Sequence, residues 1–139
     1  MRSPDGKRPP ERRYSRGVGS GKHILLIEDD ADVRAALAEA LGEAGLHVDV
    51  AVDGVGGLEQ LRGGAHPAVI VLDLRMPRLG GVEFLHEMRA DPRFEHIPVI
   101  TMTAGFEADG EEAVAHLHKP FDLEDLLEIV LSLTEASAA

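Results

Sequence analysis

Residues 68–77 read Ala68-Val69-Ile70-Val71-Leu72-Asp73-Leu74-Arg75-Met76-Pro77. Five apolar residues in a row, mostly β-branched, suit a strand buried on both faces, as in a parallel sheet covered by helices. The same run would fit part of a helix, but Pro67 before it and Pro77 after it favour a short strand. Asp73 then stands at the carboxyl end of that strand, where ligands collect in open parallel sheets. Taken alone, an Asp there reads more simply as a helix cap or a turn residue. The rest of the chain has to decide.

Working outward, His23-Ile24-Leu25-Leu26-Ile27 is a second buried-strand candidate that runs into Glu28-Asp29-Asp30. Asp30 is placed to cap a helix striped by Val33, Leu37, Leu41 and Ala44, and Gly45 to end it. Residues 46–52 alternate as a strand. Residues 54–62 read as a short helix with Val55, Leu58 and Leu61 inward, broken by Gly63-Gly64. Beyond Pro77, Gly80-Gly81 opens a helix expected to bury Val82, Leu85 and Met88. Residues 97–102 predict a fourth strand, followed by Thr103-Ala104. Residues 105–114 are acidic and weakly patterned, with room for little more than one or two helical turns. Ala115-His116-Leu117-His118 is the fifth strand, ending at Lys119-Pro120. Asp122 opens a last helix with Leu123, Leu126, Leu127, Val130 and Thr134 on one stripe, widened by Ile129, Leu131 and Leu133.

Strand and helix alternate along the whole pattern, which argues for one parallel sheet with helices on both faces. The chain of 139 residues is about one domain and contains no cysteine, so disulfides and thiolate metal sites are excluded. That fits a cytoplasmic location. No apolar run approaches the roughly 18 residues of a membrane span. Residues 1–22 carry seven Lys or Arg against two acids, whereas residues 23–139 carry seven against twenty-three. We therefore expect a disordered basic tail at 1–22, a folded domain at 23–135 and a short C-terminal tail at 136–139. The acidic domain repels nucleic acid and anionic lipid, so neither direct DNA binding by the fold nor membrane association is expected.

Polar residues stand at the carboxyl ends of four of the five strands: Glu28 and Asp29, Asp73, Thr103, and Lys119. In a sheet of order 2-1-3-4-5 the first and third strands meet at the topological switch point, which would gather Glu28, Asp29 and Asp73. Two carboxylates ~4 Å apart repel by about 4 kcal/mol at an effective dielectric of ~20, so such a cluster needs a cation. Carboxylate, carbonyl and water ligands suit Mg²⁺. Lys119 and Thr103 fall on the far side of Asp73, where an ammonium and a hydroxyl can hold phosphoryl oxygens. The chemistry suggested is phosphoryl transfer to Asp73.

This set resembles the receiver domain of two-component response regulators, of the stand-alone, single-domain type. The resemblance covers about residues 23–134. It rests on Ile24-Leu-Leu-Ile-Glu-Asp-Asp, Val71-Leu-Asp-Leu-Arg-Met-Pro, Gly81, Pro98-Val-Ile-Thr-Met-Thr-Ala and Lys119-Pro-Phe. It implies a flavodoxin-like, doubly wound (βα)5 sandwich, a five-stranded parallel sheet of order 2-1-3-4-5, here with a shortened fourth helix. By the resemblance, Asp73 is the phosphoacceptor for a sensor histidine kinase or histidine phosphotransfer protein. Glu28, Asp29, Asp73 and the backbone carbonyl of Arg75 hold Mg²⁺ or Mn²⁺. Thr103, Ala104 and Lys119 bind the phosphoryl group, and Pro77, Gly81 and Pro120 are structural, with the Lys119–Pro120 bond cis. His116 stands where the family usually has an aromatic switch residue.

The implied function is that of a phosphoacceptor that gains and loses its phosphoryl group, not a turnover enzyme. Output is expected through a downstream protein target, since no DNA-reading or catalytic segment follows the last helix. A second copy of the chain is a further candidate partner. The alternative is a degenerate receiver that binds partners without phosphorylation. A haloacid-dehalogenase-type phosphatase is disfavoured, because its second Asp would fall at Arg75. A nucleotide-binding module is disfavoured because Glu28-Asp29-Asp30 would repel phosphates.

Overall fold

The apolar runs become five parallel strands, β1 (His23–Ile27), β2 (His47–Ala51), β3 (Val69–Asp73), β4 (Val99–Thr103) and β5 (Ala115–His118). In this computed structural model, which describes residues 22–76, 78–104 and 113–138, they form one sheet of order β2-β1-β3-β4-β5. The helices are α1 (Ala31–Glu43), α2 (Gly54–Arg62), α3 (Gly81–Arg89) and α4 (Leu123–Ala138). The expected basic tail, the structural role of Pro77 and the shortened fourth helix fall on 1–21, on Pro77 and on 105–112, outside the described residues. Helix α4 runs to Ala138, so helical backbone extends into residues assigned to a C-terminal tail. Among the described residues no helix is long and apolar enough to cross a membrane.

The central strands explain the unbroken apolar runs. Alternate residues of β1 and β3 feed two separate cores. Leu25, Ile27, Ile70 and Leu72 pack with Leu58, Leu61, Phe84 and Leu85 from α2 and α3. Ile24, Leu26, Val69 and Val71 pack with Leu37, Leu41, Leu126 and Val130 from α1 and α4. Both faces are covered, so neither can be polar. All five residues of β3 are buried, Asp73 included. That is what sets a carboxylate against the core.

Local chemistry fixes the helix ends. Asp30 Oδ1 accepts from the N–H groups of Asp32 and Val33 at 2.9 and 3.0 Å, capping α1. Past its last turn, Gly45 takes φ +94°, which favours glycine. Asp53 caps α2 by accepting from the Gly56 N–H at 2.9 Å.

Helix α3 departs from expectation: Phe84, Leu85 and Met88 are buried, whereas Val82 is 46% exposed. At about 100° per residue the three buried positions share a narrow arc, and Val82 lies off it. Gly81 starts this helix because its neighbours leave no room. A Cβ there would lie 2.5 Å from the Asp73 carbonyl oxygen and 2.6 Å from Leu74 Cα. Both obstacles are backbone, so they cannot swing aside. Gly81→Ala should therefore cost about 1–3 kcal/mol in urea unfolding. A cost indistinguishable from zero would show that the close approach is not required.

Candidate functional site

In the parallel register Ile27 of β1 pairs with Leu72 of β3, so the residues that follow emerge side by side. Glu28 is fully buried, and its N–H donates to the Ala51 carbonyl at 3.1 Å. Its Oε2 accepts from the Asp30 N–H at 3.1 Å, which turns its carboxylate into the pocket. The Arg34 guanidinium donates to the carbonyls of Glu28 and Asp29 at 2.9 and 3.4 Å, bracing the acidic turn from α1. Asp29 is exposed, whereas Asp73 is only 4% exposed. One carboxylate oxygen from each of Glu28, Asp29 and Asp73 lies within 4.8 Å of the others. The strand order thus brings together the three acids singled out from the sequence.

Lys119 closes the pocket from β5. Its backbone N–H donates to the Thr103 carbonyl at 2.7 Å, placing it beside the end of β4. Its ammonium donates to Glu28 Oε1 at 3.0 Å and stands 3.6 Å from Asp73 Oδ2. The Lys119–Pro120 bond is cis. Asp73 Oδ1 accepts from the Arg75 N–H at 3.1 Å. The two oxygens of Asp73 therefore face different neighbours. Thr103 is buried at the end of β4, and Ala104 follows it at the surface.

Three carboxylates face one ammonium here. Burial pushes the Asp73 carboxyl up from 3.8 to about 7, and the charge of Glu28 pushes the same way. The Arg75 N–H and Lys119 oppose the shift without cancelling it. For Lys119, burial by itself favours the neutral amine. The hydrogen bond to Glu28 and the charge of Asp73 outweigh that and raise its pKa. The donor set is all oxygen and carries excess negative charge, which fits a hard divalent cation such as Mg²⁺.

His116 stands beside Thr101 of β4. The register pairs His116 with Thr101, and Thr103 with His118. His116 Nδ1 lies 2.5 Å from Thr101 Oγ1. The half-buried ring is thereby tied to the middle of β4, two residues before Thr103. Sequence reasoning also missed Asp53, which is 3% exposed and pairs with Arg78 at 3.1 Å. Arg78 takes φ +61° in the loop after Asp73, and Gly54 N–H donates to the Leu79 carbonyl at 3.1 Å. These contacts pin that loop to the start of α2. The Asp-Gly pair at 53–54 was the available signal, but nothing local revealed its partner.

The family model for the response regulator receiver domain matches residues 24–131. The chain belongs to that family. Receivers act in two-component, phosphorelay signalling. This receiver is 40% identical over 94 residues to a protein-glutamate methylesterase/protein-glutamine glutaminase of Anaeromyxobacter dehalogenans, covering 67% of this chain and 25% of that protein. It is 33% identical over 117 residues to response regulator Rre1 of Synechocystis, covering 79% of this chain and 50% of that one. The receiver thus spans half or less of the length of these curated relatives.

Among solved structures it is similar to the response regulator TrrA of Thermotoga maritima, solved in complex with Mg²⁺–BeF. That match has a TM-score of 0.72 and 28% identity, over 81% of this chain and 98% of that one. It is similar also to a CheY-like receiver domain protein of Methanospirillum hungatei, with a TM-score of 0.73 and 27% identity, over 85% of this chain and 98% of that one.

Proposed function

We propose that Asp73 is the phosphoacceptor of this receiver, charged in a divalent-cation-dependent step by a phosphohistidine on a sensor kinase or phosphotransfer protein. The single observation that carries this is the buried Asp73 carboxylate between the acidic pair and the Lys119 ammonium. A carboxylate oxygen of Asp73 attacks phosphorus, the phosphorus–nitrogen bond breaks, and the imidazole leaves with the electron pair. Hydrolysis of the acyl phosphate later restores Asp73 and releases phosphate. Glu28, Asp29, Asp73 and the Arg75 carbonyl would hold the cation, Mg²⁺ or Mn²⁺. When bound, it supplies positive charge to the phosphoryl oxygens. Lys119 supplies further positive charge beside Asp73, and the Arg75 N–H orients the carboxylate. Thr103 and Ala104 are the expected partners of a phosphoryl oxygen.

The receiver then signals by protein–protein contact from a cytoplasmic location. Leu127, Ile129, Leu131 and Leu133 of α4 are only half-buried at the edge of the core and are candidates for that contact. The experiment is incubation with acetyl phosphate and Mg²⁺, followed by intact-mass measurement. One phosphoryl group should be added to the wild type and none to Asp73→Asn. Addition that persists in Asp73→Asn removes the assignment.

A further inference from the structure

The amino end of the sheet carries a second convergence of ligating groups, remote from the acidic pocket. His23 and His47 are direct partners in the β1–β2 register, and Asp49 follows two residues along β2 on the same face. The two rings stand 4.4 Å apart between centroids and are tilted at 53°. Asp49 Oδ2 lies 3.8 Å from His23 Nδ1, and Asp49 Oδ1 lies 3.9 Å from His47 Nε2. Neither separation is a hydrogen bond. One donor atom from each residue lies within 4.8 Å of the other two. The three polar ends therefore face a common gap without bonding one another across it.

That gap has the dimensions of an ion. Zinc binds His nitrogen and carboxylate oxygen at about 2.0–2.2 Å, which puts neighbouring tetrahedral donors about 3.3–3.5 Å apart. The two imidazole–carboxylate separations, 3.8 and 3.9 Å, close to that with side-chain movements of roughly half an ångström. The backbone is already held. The His47 N–H donates to the Lys22 carbonyl at 2.9 Å, and the His23 carbonyl accepts from Ala68 at 2.8 Å. Only side-chain torsions need adjust. The side chains of His23, His47 and Asp49 are 56%, 61% and 46% exposed, so an ion and its waters can enter. Two imidazoles with one carboxylate make a borderline donor set, suited to zinc-class metals and unlike the all-oxygen set that Mg²⁺ takes.

We propose that His23, His47 and Asp49 form a binding site for one Zn²⁺ ion, with an open position filled by water, that ties strand β2 to β1. It is distinct from the acidic pocket, because β1 places Glu28 five positions after His23, about 16 Å away at strand spacing. The test is calorimetric titration of the full chain with Zn²⁺ in excess Mg²⁺, on wild type, His47→Ala, Asp49→Asn and Asp73→Asn, with Co²⁺ absorption as a second readout. One equivalent should bind wild type and Asp73→Asn alike. Loss even of outer-shell partners weakens metal sites about 10–100-fold, so His47→Ala and Asp49→Asn should each weaken binding at least tenfold. Saturating Zn²⁺ should raise the thermal midpoint by about 5 °C in wild type and not in His47→Ala. The proposal is overturned if wild type binds no Zn²⁺, if either β2 variant binds as tightly as wild type, or if Asp73→Asn abolishes binding.

Discussion

Asp73→Asn is expected to be more stable than the wild type in the absence of divalent metal, by a margin that grows as pH rises from 5 to 8. The cause is the raised pKa of the Asp73 carboxyl, about 7 in the fold against 3.8 as its ordinary value. Between those values the folded state holds a proton that the unfolded state has released. Stability therefore falls with increasing pH across that window. The contribution is fully present below about pH 4 and is lost as pH rises through about 7. At ~1.4 kcal/mol per pH unit, its ceiling is about 4 kcal/mol. Asn has nearly the same shape and no charge to bury, so it escapes the loss.

Urea unfolding in EDTA should thus give near-equal stabilities at about pH 4, a difference of about 1–2 kcal/mol at pH 5 and one of about 3–4 kcal/mol at pH 8. Saturating Mg²⁺ should stabilise the wild type at pH 8 more than Asp73→Asn. If the two proteins respond identically to pH, the carboxylate is not strained by burial and by Glu28. The instability is the expected cost of keeping an anionic pocket empty of its cation.

The features visible in the sequence are those that depend on one segment at a time. The proline-bounded run of β3, the Asp30 cap and the Gly45 stop each rest on chemistry within a few residues. The pocket was legible because strand order is a small menu, and the order β2-β1-β3-β4-β5 sets Glu28 beside Asp73. What was not legible depends on register or on a distant partner. Thr101 meets His116 only because Ile100 pairs with Ala115, and the ten residues of weak pattern at 105–114 precede that strand. The His23–His47–Asp49 cluster likewise exists only through the β1–β2 register. Asp53 was not singled out because its partner, Arg78, lies in another loop. Val82 and Phe84 both suited a helix face, and the choice fell to which side chain could fill the space between Ile27 and α2. A Cβ on Gly57 would lie 2.6 Å from Ile27 Cδ1 and 3.0 Å from Phe84 Cε1, so the glycine is what admits the ring.

Lys119→Ala should have the opposite effect to Asp73→Asn, and one of similar size. The Lys119 ammonium is the counter-charge to Glu28 and Asp73, at 3.0 and 3.6 Å, and both carboxylates are almost wholly buried. Removing one partner of a buried ion pair costs about 3–5 kcal/mol, most of it from the charge left behind. Lys119 keeps 23% of its side chain exposed, so the lower end, about 3 kcal/mol, applies at pH 8 in EDTA. Its pKa is raised, so the ammonium persists and the pairing contributes throughout neutral pH. Lowering the pH through about 7 protonates Asp73 and should shrink the cost toward the part due to Glu28.

The double variant Lys119→Ala/Asp73→Asn supplies the cross-check. Removing Asp73's charge leaves less for Lys119 to neutralise, so the two effects should fall short of additivity by about 1–3 kcal/mol. Mg²⁺ should rescue Lys119→Ala more than it helps the wild type, because a dication replaces the missing ammonium. Phosphoryl acceptance should still fall in that variant, since the charge beside Asp73 Oδ2 is gone. A Lys119→Ala protein as stable as wild type at pH 8, with additive behaviour in the double variant, would mean that the ammonium does not neutralise the pocket.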